Sequence, residues 1–298
     1  MIEHRAIRNS NRIRYTEKMN TDDPKKITLH QIVRGTILGV ATEEDLLRSQ
    51  AFEHIDPDQA NRTGILYIHG YTSTPHSMRP LAEALLHHTY YTNVPLLAGH
   101  GTNPIDMGQS TYQDWYQSVK TAYLRMAPAC DNVIVIGQSL GALLTTMLAH
   151  EFPTIDSVIM LVPAFYPPAI INLTPILSPL LKALQIKTMY SVGGDVNKDD
   201  AYEVAYNRIH VNAPLELFRA CRIARKKLPQ LKQPIVVIGS ENDHVLSTDG
   251  IDRAYSTITS INKQITWLQN TYHVASLDND IDIIINLIKQ QIDKLSTA

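Results

Sequence analysis

A serine flanked by glycines is the residue best placed to act as a nucleophile. Residues 137–141 read Gly-Gln-Ser-Leu-Gly, which places Ser139 at the centre of a G-x-S-x-G motif. The motif follows a buried strand predicted at residues 132–136 and precedes a helix predicted at residues 140–150. A sharp strand-to-helix turn strains the serine backbone and exposes its hydroxyl, while the glycines leave room for neighbouring backbone. The motif also occurs by chance, so its position between these elements is what favours a nucleophile.

A second fragment could stabilise the negative charge that develops when a hydroxyl attacks a carbonyl group. Acyl transfer needs two backbone N–H groups directed at the oxyanion. One is expected from Leu140, which follows the serine, and the other from the loop after an early strand at residues 64–68. Tyr71 is the predicted second donor because Gly70 lets the chain turn back beneath the site. His69 is interpreted as a residue that orients this loop.

Two later loops offer an acid and a base. The strand predicted at residues 235–238 leads to Asp243, with Glu241 as a competing carboxylate in the same loop. The strand predicted at residues 264–268 leads to His273, whose imidazole can accept and return a proton near neutral pH. We therefore predict a Ser-Asp-His triad, in the chain order expected for a nucleophile of this kind.

The other histidines have no comparable position. His244 lies next to the predicted acid, and it is interpreted as a bystander because the base should come from a different loop. His100 stands between two glycines and is expected to shape a turn, while His210 has no motif around it. His273 is singled out by its position in the loop just past the last predicted strand.

Strands and helices alternate from about residue 50, which predicts a mostly parallel sheet with helices on both faces. Strands are predicted at residues 64–68, 92–96, 132–136, 157–161, 235–238 and 264–268. Helices are predicted at residues 77–88, 112–126, 140–150, 248–257 and 280–294. The strands at 132–136 and 235–238 are apolar on both faces, as expected for strands covered on each side.

The alternation of strands and helices begins at about residue 50 and is interrupted once, over residues 163–231. This pattern predicts three parts of the chain. Residues 1–48 are polar and weakly periodic, and they are interpreted as an N-terminal arm, part helix and part loop. Residues 49–162 and 232–298 form the predicted α/β core. Residues 163–231 contain several prolines and no clear strand, so we predict a helical cap inserted into the core.

Composition narrows the class of partner. The 298 residues are 44% hydrophobic and 19% charged, as expected for a folded protein. The formal net charge of −2 gives no reason to expect binding to nucleic acid. Two well-separated cysteines suggest free thiols in a reducing compartment. No stretch predicts a secretory signal or a membrane span, so a soluble, cytoplasmic protein without stable membrane insertion is expected. No metal or cofactor site is predicted, and the oligomeric state stays open.

These motifs together resemble the bacterial carboxylesterases and the related monoacylglycerol lipases of the α/β-hydrolase superfamily. The resemblance rests on residues 69–72, 95–102, 114–115, 137–141, 239–245 and 273–278. It implies a small helical cap, the triad and oxyanion donors named above, no cofactor, and hydrolysis of short- to medium-chain acyl esters. The chain departs from the family at Ser73, where a second glycine is common, and at Tyr272, where a small residue is common.

The sequence thus predicts a serine esterase acting on small acyl esters, with monoacylglycerols as one candidate class. An acyltransferase or a thioesterase would use the same triad with another acyl donor or acceptor. A hydrolase-like binding protein without turnover is the alternative from a different class. It is disfavoured because the serine, the aspartate and the histidine are all present.

Overall fold

The computed structural model describes residues 29–191 and 193–296, so residues 1–28 of the predicted N-terminal arm lie outside it. The strands are β1 (His30–Val33), β2 (Thr36–Val40), β3 (Phe52–Ile55), β4 (Thr63–Ile68), β5 (Tyr91–Val94), β6 (Asn132–Gln138), β7 (Ser157–Leu161), β8 (Thr188–Tyr190), β9 (Glu203–Ala205), β10 (Arg208–His210), β11 (Ile235–Ser240) and β12 (Lys263–Leu268). The α-helices are α1 (Glu43–Arg48), α2 (Pro75–Glu83), α3 (Pro104–Gln109), α4 (Tyr112–Met126), α5 (Leu140–Glu151), α6 (Ala169–Asn172), α7 (Thr174–Ala183), α8 (Ala213–Lys227), α9 (Thr248–Thr257) and α10 (Ile281–Ser296).

Seven strands form one sheet in the order β12-β11-β7-β6-β4-β5-β3. All neighbouring pairs are parallel except β3 and β5, which are antiparallel. The predicted mostly parallel α/β architecture is therefore confirmed. Strand β3 was not among the predicted strands, because it is an edge strand in which the charged and polar residues Glu53 and His54 interrupt the apolar pattern.

The central strands are apolar on both faces because helices cover each side of the sheet. Successive side chains of a strand point to opposite faces. In β6, Val133 and Val135 pack in the cluster that contains side chains of α4, α5 and α8. Ile134 and Ile136 pack in the second cluster, with side chains of α2 and α10. This core on both faces holds the sheet in place, and the candidate site lies at the carboxyl ends of its strands.

The carboxyl ends of parallel strands lie at one edge of a sheet, and loops that follow them converge there. Ser139 directly follows β6, and Tyr71 follows β4. Asp243 follows β11, and His273 follows β12. The topology alone therefore brings the predicted nucleophile, oxyanion donor, acid and base to the same edge.

The described part of the N-terminal arm forms a hairpin and a short helix. β1 and β2 pair antiparallel through a turn at Arg34 and Gly35, both of which have positive φ. β1 also pairs antiparallel with β9, so residues from the arm and from the predicted cap share one small sheet. The arm was expected to be part helix and part loop. Its strands were not predicted because β2 is half exposed and shows no clean alternation of buried and exposed residues.

The segment between β7 and β11 contains α6, α7 and α8, as the predicted helical cap requires, but also three short strands. β8 pairs with β10, while β9 joins the hairpin of the arm. Each of these strands has three residues, which is too short to show a period in the sequence. Within the described residues, none of the helices combines the length and apolar character needed to cross a bilayer.

Candidate active site

Ser139 occupies a strained turn between β6 and α5. Its backbone has φ 55° and ψ −112°, a conformation that costs a side-chain-bearing residue about 1–3 kcal/mol. A Cβ atom at Gly137 would lie 2.3 Å from the backbone carbonyl carbon of Gly141, and one at Gly141 would lie 2.2 Å from the carbonyl oxygen of Ile68. Both glycines of the motif are therefore required by close backbone packing, as predicted.

A continuous chain of hydrogen bonds joins the three predicted residues. Ser139 Oγ lies 3.0 Å from His273 Nε2, and His273 Nδ1 lies 2.7 Å from Asp243 Oδ2. The other oxygen of Asp243 accepts the backbone N–H groups of Val245 and Leu246 at 2.7 and 2.8 Å. The Asp243 side chain is fully buried, whereas the competing Glu241 is exposed. The structure thus selects Asp243 as the partner of the imidazole.

The protonation states follow from this chain. Burial by itself would lower the pKa of His273, but the charge and hydrogen bond of Asp243 outweigh it and raise the pKa above the usual 6.5. Burial would raise the pKa of Asp243, yet the imidazole and the two backbone N–H groups hold it below its usual value. The carboxylate is therefore charged near neutral pH and able to stabilise an imidazolium.

The loop after β4 lies against the serine. A Cβ atom at Gly70 would be 3.5 Å from Ser139 Cβ, so the backbone entering Tyr71 passes beside the nucleophile. Leu140 is the first residue of α5, where backbone N–H groups have no intrahelical acceptor. Both predicted oxyanion donors thus belong to segments adjoining Ser139, and the helix amino terminus favours negative charge there.

His69 orients this loop, as its sequence position suggested. Its Nε2 accepts the backbone N–H of Leu97 at 3.2 Å, so its Nδ1 carries the proton and donates to the carbonyl oxygen of Gly70 at 3.0 Å. Burial holds the pKa of His69 well below 6.5. The imidazole is therefore neutral and links the loops that follow β4 and β5.

An apolar cavity of about 360 Å³ adjoins Ser139 and His273. Its walls come from the core loops and from the segment between β7 and β11. The apolar lining includes Pro168, Ile170, Ile171, Leu177, Leu181, Met189, Val211 and Leu217. Such a cavity suits the hydrocarbon part of a small ligand.

Two buried carboxylates beside the cavity were missed by the sequence analysis. Asp195 and Glu203 are 8% and 5% exposed. Burial raises the pKa of Glu203, whose Oε2 accepts the backbone N–H of Gly194 at 2.8 Å. Both acids lie in the region predicted as a helical cap, where no motif marks them. The pair Gly193 and Gly194, just before Asp195, was the one local feature of the sequence that indicated close packing of the backbone there.

No group of three or more His, Cys, Asp or Glu side chains arranged to hold a metal ion occurs among residues 29–191 and 193–296. The groups converging on Ser139 are instead a base, a carboxylate and backbone donors. This arrangement can activate a hydroxyl, stabilise an oxyanion and return a proton to a leaving group.

The family model Hydrolase_4, described as serine aminopeptidase S33, matches residues 59–280. The chain is 36% identical over 222 residues to a thermostable monoacylglycerol lipase of Bacillus sp. (strain H-257), covering 74% of this chain and 87% of the relative. It is 22% identical over 232 residues to a carboxylesterase of Bacillus subtilis (strain 168), covering 78% of this chain and 92% of the relative.

Similarity to solved structures covers a comparable share of the chain. One of them is described as belonging to LipS and LipT, two metagenome-derived lipolytic enzymes. It superimposes with a TM-score of 0.73 at 31% identity, covering 83% of this chain and 98% of the other. The fold is therefore shared along nearly the whole length of that chain.

Proposed function

This chain belongs to the Hydrolase_4 family of serine hydrolases, and we propose that it is an esterase in which Ser139, His273 and Asp243 form the catalytic triad. The observation that carries the proposal is the hydrogen-bond chain from Ser139 Oγ through His273 to Asp243. Its substrates are short- to medium-chain acyl esters of small alcohols, monoacylglycerols among them.

In the proposed mechanism, His273 Nε2 takes the proton of Ser139 as Oγ attacks the ester carbonyl carbon. The backbone N–H groups of Tyr71 and Leu140 stabilise the oxyanion. The C–O bond to the alcohol then breaks, and the imidazolium returns its proton to the departing alkoxide. Water, deprotonated by His273, attacks the acyl-enzyme, and the carboxylic acid leaves as Ser139 regains its proton. No step requires a metal or an organic cofactor.

The cavity and the relatives support this substrate class. The family description names a peptidase, but the two relatives are named as a monoacylglycerol lipase and a carboxylesterase. The apolar walls around Leu177 and Leu181 favour an acyl chain on one side of the scissile bond. The proposed substrate is therefore an ester with an apolar acyl chain, and not a peptide.

The test is hydrolysis of p-nitrophenyl esters from acetate to palmitate by the wild type and Ser139→Ala. The mutant should lose at least about a thousandfold in kcat because the nucleophile is removed. Ser256→Ala is the matched control, since this exposed serine on α9 bonds only the backbone of its own helix among the described residues. Near-normal turnover by Ser139→Ala would refute the proposal.

Two further substrates separate the alternatives. Leucine p-nitroanilide measures peptidase-type activity, which should be far below ester turnover. Adding glycerol as a competing acceptor measures acyl transfer. Free acid as the dominant product supports the esterase, whereas predominant transfer to glycerol would indicate an acyltransferase with the same triad.

A further inference from the structure

One buried carboxylate makes contact with both loops that carry the acid and the base. Asp195 Oδ2 accepts the backbone N–H of His273 at 3.1 Å and the backbone N–H of His244 at 3.1 Å. Its Oδ1 lies 2.8 Å from His244 Nδ1. Its own carbonyl oxygen accepts the N–H of Val274 at 3.0 Å. A single residue thus bonds to the base itself and to the residue directly after Asp243.

We propose that Asp195 is a positioning residue that holds the Asp243 loop and the His273 loop in register, so that the imidazole stays aligned between Ser139 and Asp243. The inference rests on the proposed function of these three residues. Asp195 touches neither the hydroxyl of Ser139 nor the ring of His273 through any hydrogen bond in the described structure. Its effect is therefore exerted through the backbone of the two loops and through its charge.

The residue is itself held in place. Gly194, just before it, has φ 69°, and a Cβ atom there would lie 2.4 Å from Ile32 Cγ2 and 2.5 Å from the Ile32 carbonyl oxygen. The segment therefore packs directly on β1. On the other side of Asp195, the backbone N–H of Asn197 donates to the carboxylate of Asp278 at 2.7 Å. Because both flanks are fixed, the carboxylate is a rigid support and loses little conformational entropy on bonding.

The charge of Asp195 provides a second readout. The acidic groups that face His273 are Asp243, Asp195 and Glu203, and each raises the pKa of the imidazole against the effect of burial. Removing one negative charge should lower that pKa. A residue that only filled space would leave it unchanged.

Two substitutions separate position from charge. Asp195→Asn keeps one carbonyl oxygen, which can accept both backbone N–H groups, while its amide can donate to the other tautomer of His244. Asp195→Ala removes all three side-chain bonds. Asp199 lies on the same segment with its side chain 91% exposed and paired with Arg34, so Asp199→Asn and Asp199→Ala are matched controls.

We expect Asp195→Ala to lose about ten- to a hundredfold in kcat on a p-nitrophenyl ester, with KM changed less than about threefold, because misalignment affects the reacting groups more than binding. Asp195→Asn should recover most of kcat, and the acidic limb of its kcat/KM profile should move to lower pH. The Asp199 variants should match the wild type in both readouts. Wild-type kcat and an unshifted limb in both Asp195 variants would overturn the proposal.

Two other outcomes are also decisive. If Asp195→Ala does not fold, the acidic limb of the kcat/KM profile of Asp195→Asn decides the question. An unshifted limb then refutes the positioning role of Asp195. If the wild type hydrolyses no ester, the proposed function fails, but NMR titration of the His273 imidazole still tests Asp195. A lower imidazole pKa in Asp195→Asn supports the role, and an equal pKa refutes it. His273→Gln identifies the resonance.

Discussion

The hydroxyl of Ser139 and the ring of His273 meet at a distance that permits proton transfer without rearrangement. The 3.0 Å contact is within the range expected for a nucleophile and its base. Asp243 Oδ2 fixes the other ring nitrogen at 2.7 Å, which sets the tautomer with the proton on Nδ1. The free lone pair on Nε2 then faces the serine hydroxyl.

This tautomer leads to a pH prediction. Only neutral His273 can accept the serine proton, and its pKa is raised above 6.5. We therefore expect kcat/KM to rise with pH through an apparent pKa above 6.5. The measurement is a kcat/KM profile on a p-nitrophenyl ester, with protein integrity checked at each pH. An acidic limb with its midpoint below 6.5 would contradict the assigned surroundings of the imidazole.

Among single residues, the sequence was sufficient to locate a candidate wherever it follows a recognisable strand. Ser139, Asp243 and His273 each lie after a predicted strand, so the parallel topology brings them together. Asp195 and Glu203 could not be found this way, because Asp195 lies in an irregular segment and Glu203 begins the three-residue strand β9, and both places are shaped by contacts with the N-terminal hairpin. The link of Asp195 to the site is visible only through its hydrogen bonds to residues that are distant in sequence.

At the scale of elements, the hairpin of β1 and β2 supports one wall of the cavity. β1 pairs with β9, and Ile32 is opposite Glu203 in that register. Ile32 is only 3% exposed and packs against the backbone before Asp195. An element outside the matched family region, residues 59–280, therefore contacts the segment that carries both buried acids.

Ile32→Ala tests this support. The truncation should lower the free energy of unfolding by about 2 kcal/mol or more, because a buried side chain is removed. It should also lower kcat on a p-nitrophenyl ester severalfold by loosening the segment of Asp195. Chemical denaturation and steady-state kinetics are the measurements.

Leu47→Ala is the control for this variant, since Leu47 is 68% exposed in α1 of the same N-terminal region. Its stability should stay within about 0.5 kcal/mol of the wild type. If Ile32→Ala lost stability but kept full kcat, the hairpin would be a stabilising element without influence on the site.

The predicted elements of the core match the structure more closely than those of its periphery. Strands at residues 157–161 and helices at residues 112–126 and 248–257 coincide with β7, α4 and α9. Their boundaries were readable because a continuous core enforces strict apolar patterns. The hairpin was missed because β2 shows no clean alternation of buried and exposed residues, and β8 to β10 were missed because three residues are too few to show a period.

In the molecule as a whole, the sheet brings four loops to one edge, and the segment between β7 and β11 covers them and encloses the cavity. Most of the core that fixes these loops lies in the region matched by the family model, residues 59–280, and α10 beyond it adds Ile284, Ile288 and Ile292. The division into arm, core and cap stays a prediction, although the pairing of β1 with β9 ties the first and last of these parts together. The proposed chemistry thus requires the shared core, and its fine alignment depends on what surrounds it.

In the proposed mechanism Ser139 alone becomes acylated, and covalent labelling detects which residue reacts. Intact-mass and peptide mass spectrometry after reaction with diethyl p-nitrophenyl phosphate should show one diethylphosphoryl group per chain, located on Ser139. The adduct should be absent from Ser139→Ala and present in Ser256→Ala. An adduct on another residue, or continued ester hydrolysis after Ser139 is fully labelled, would show that Ser139 is not the nucleophile.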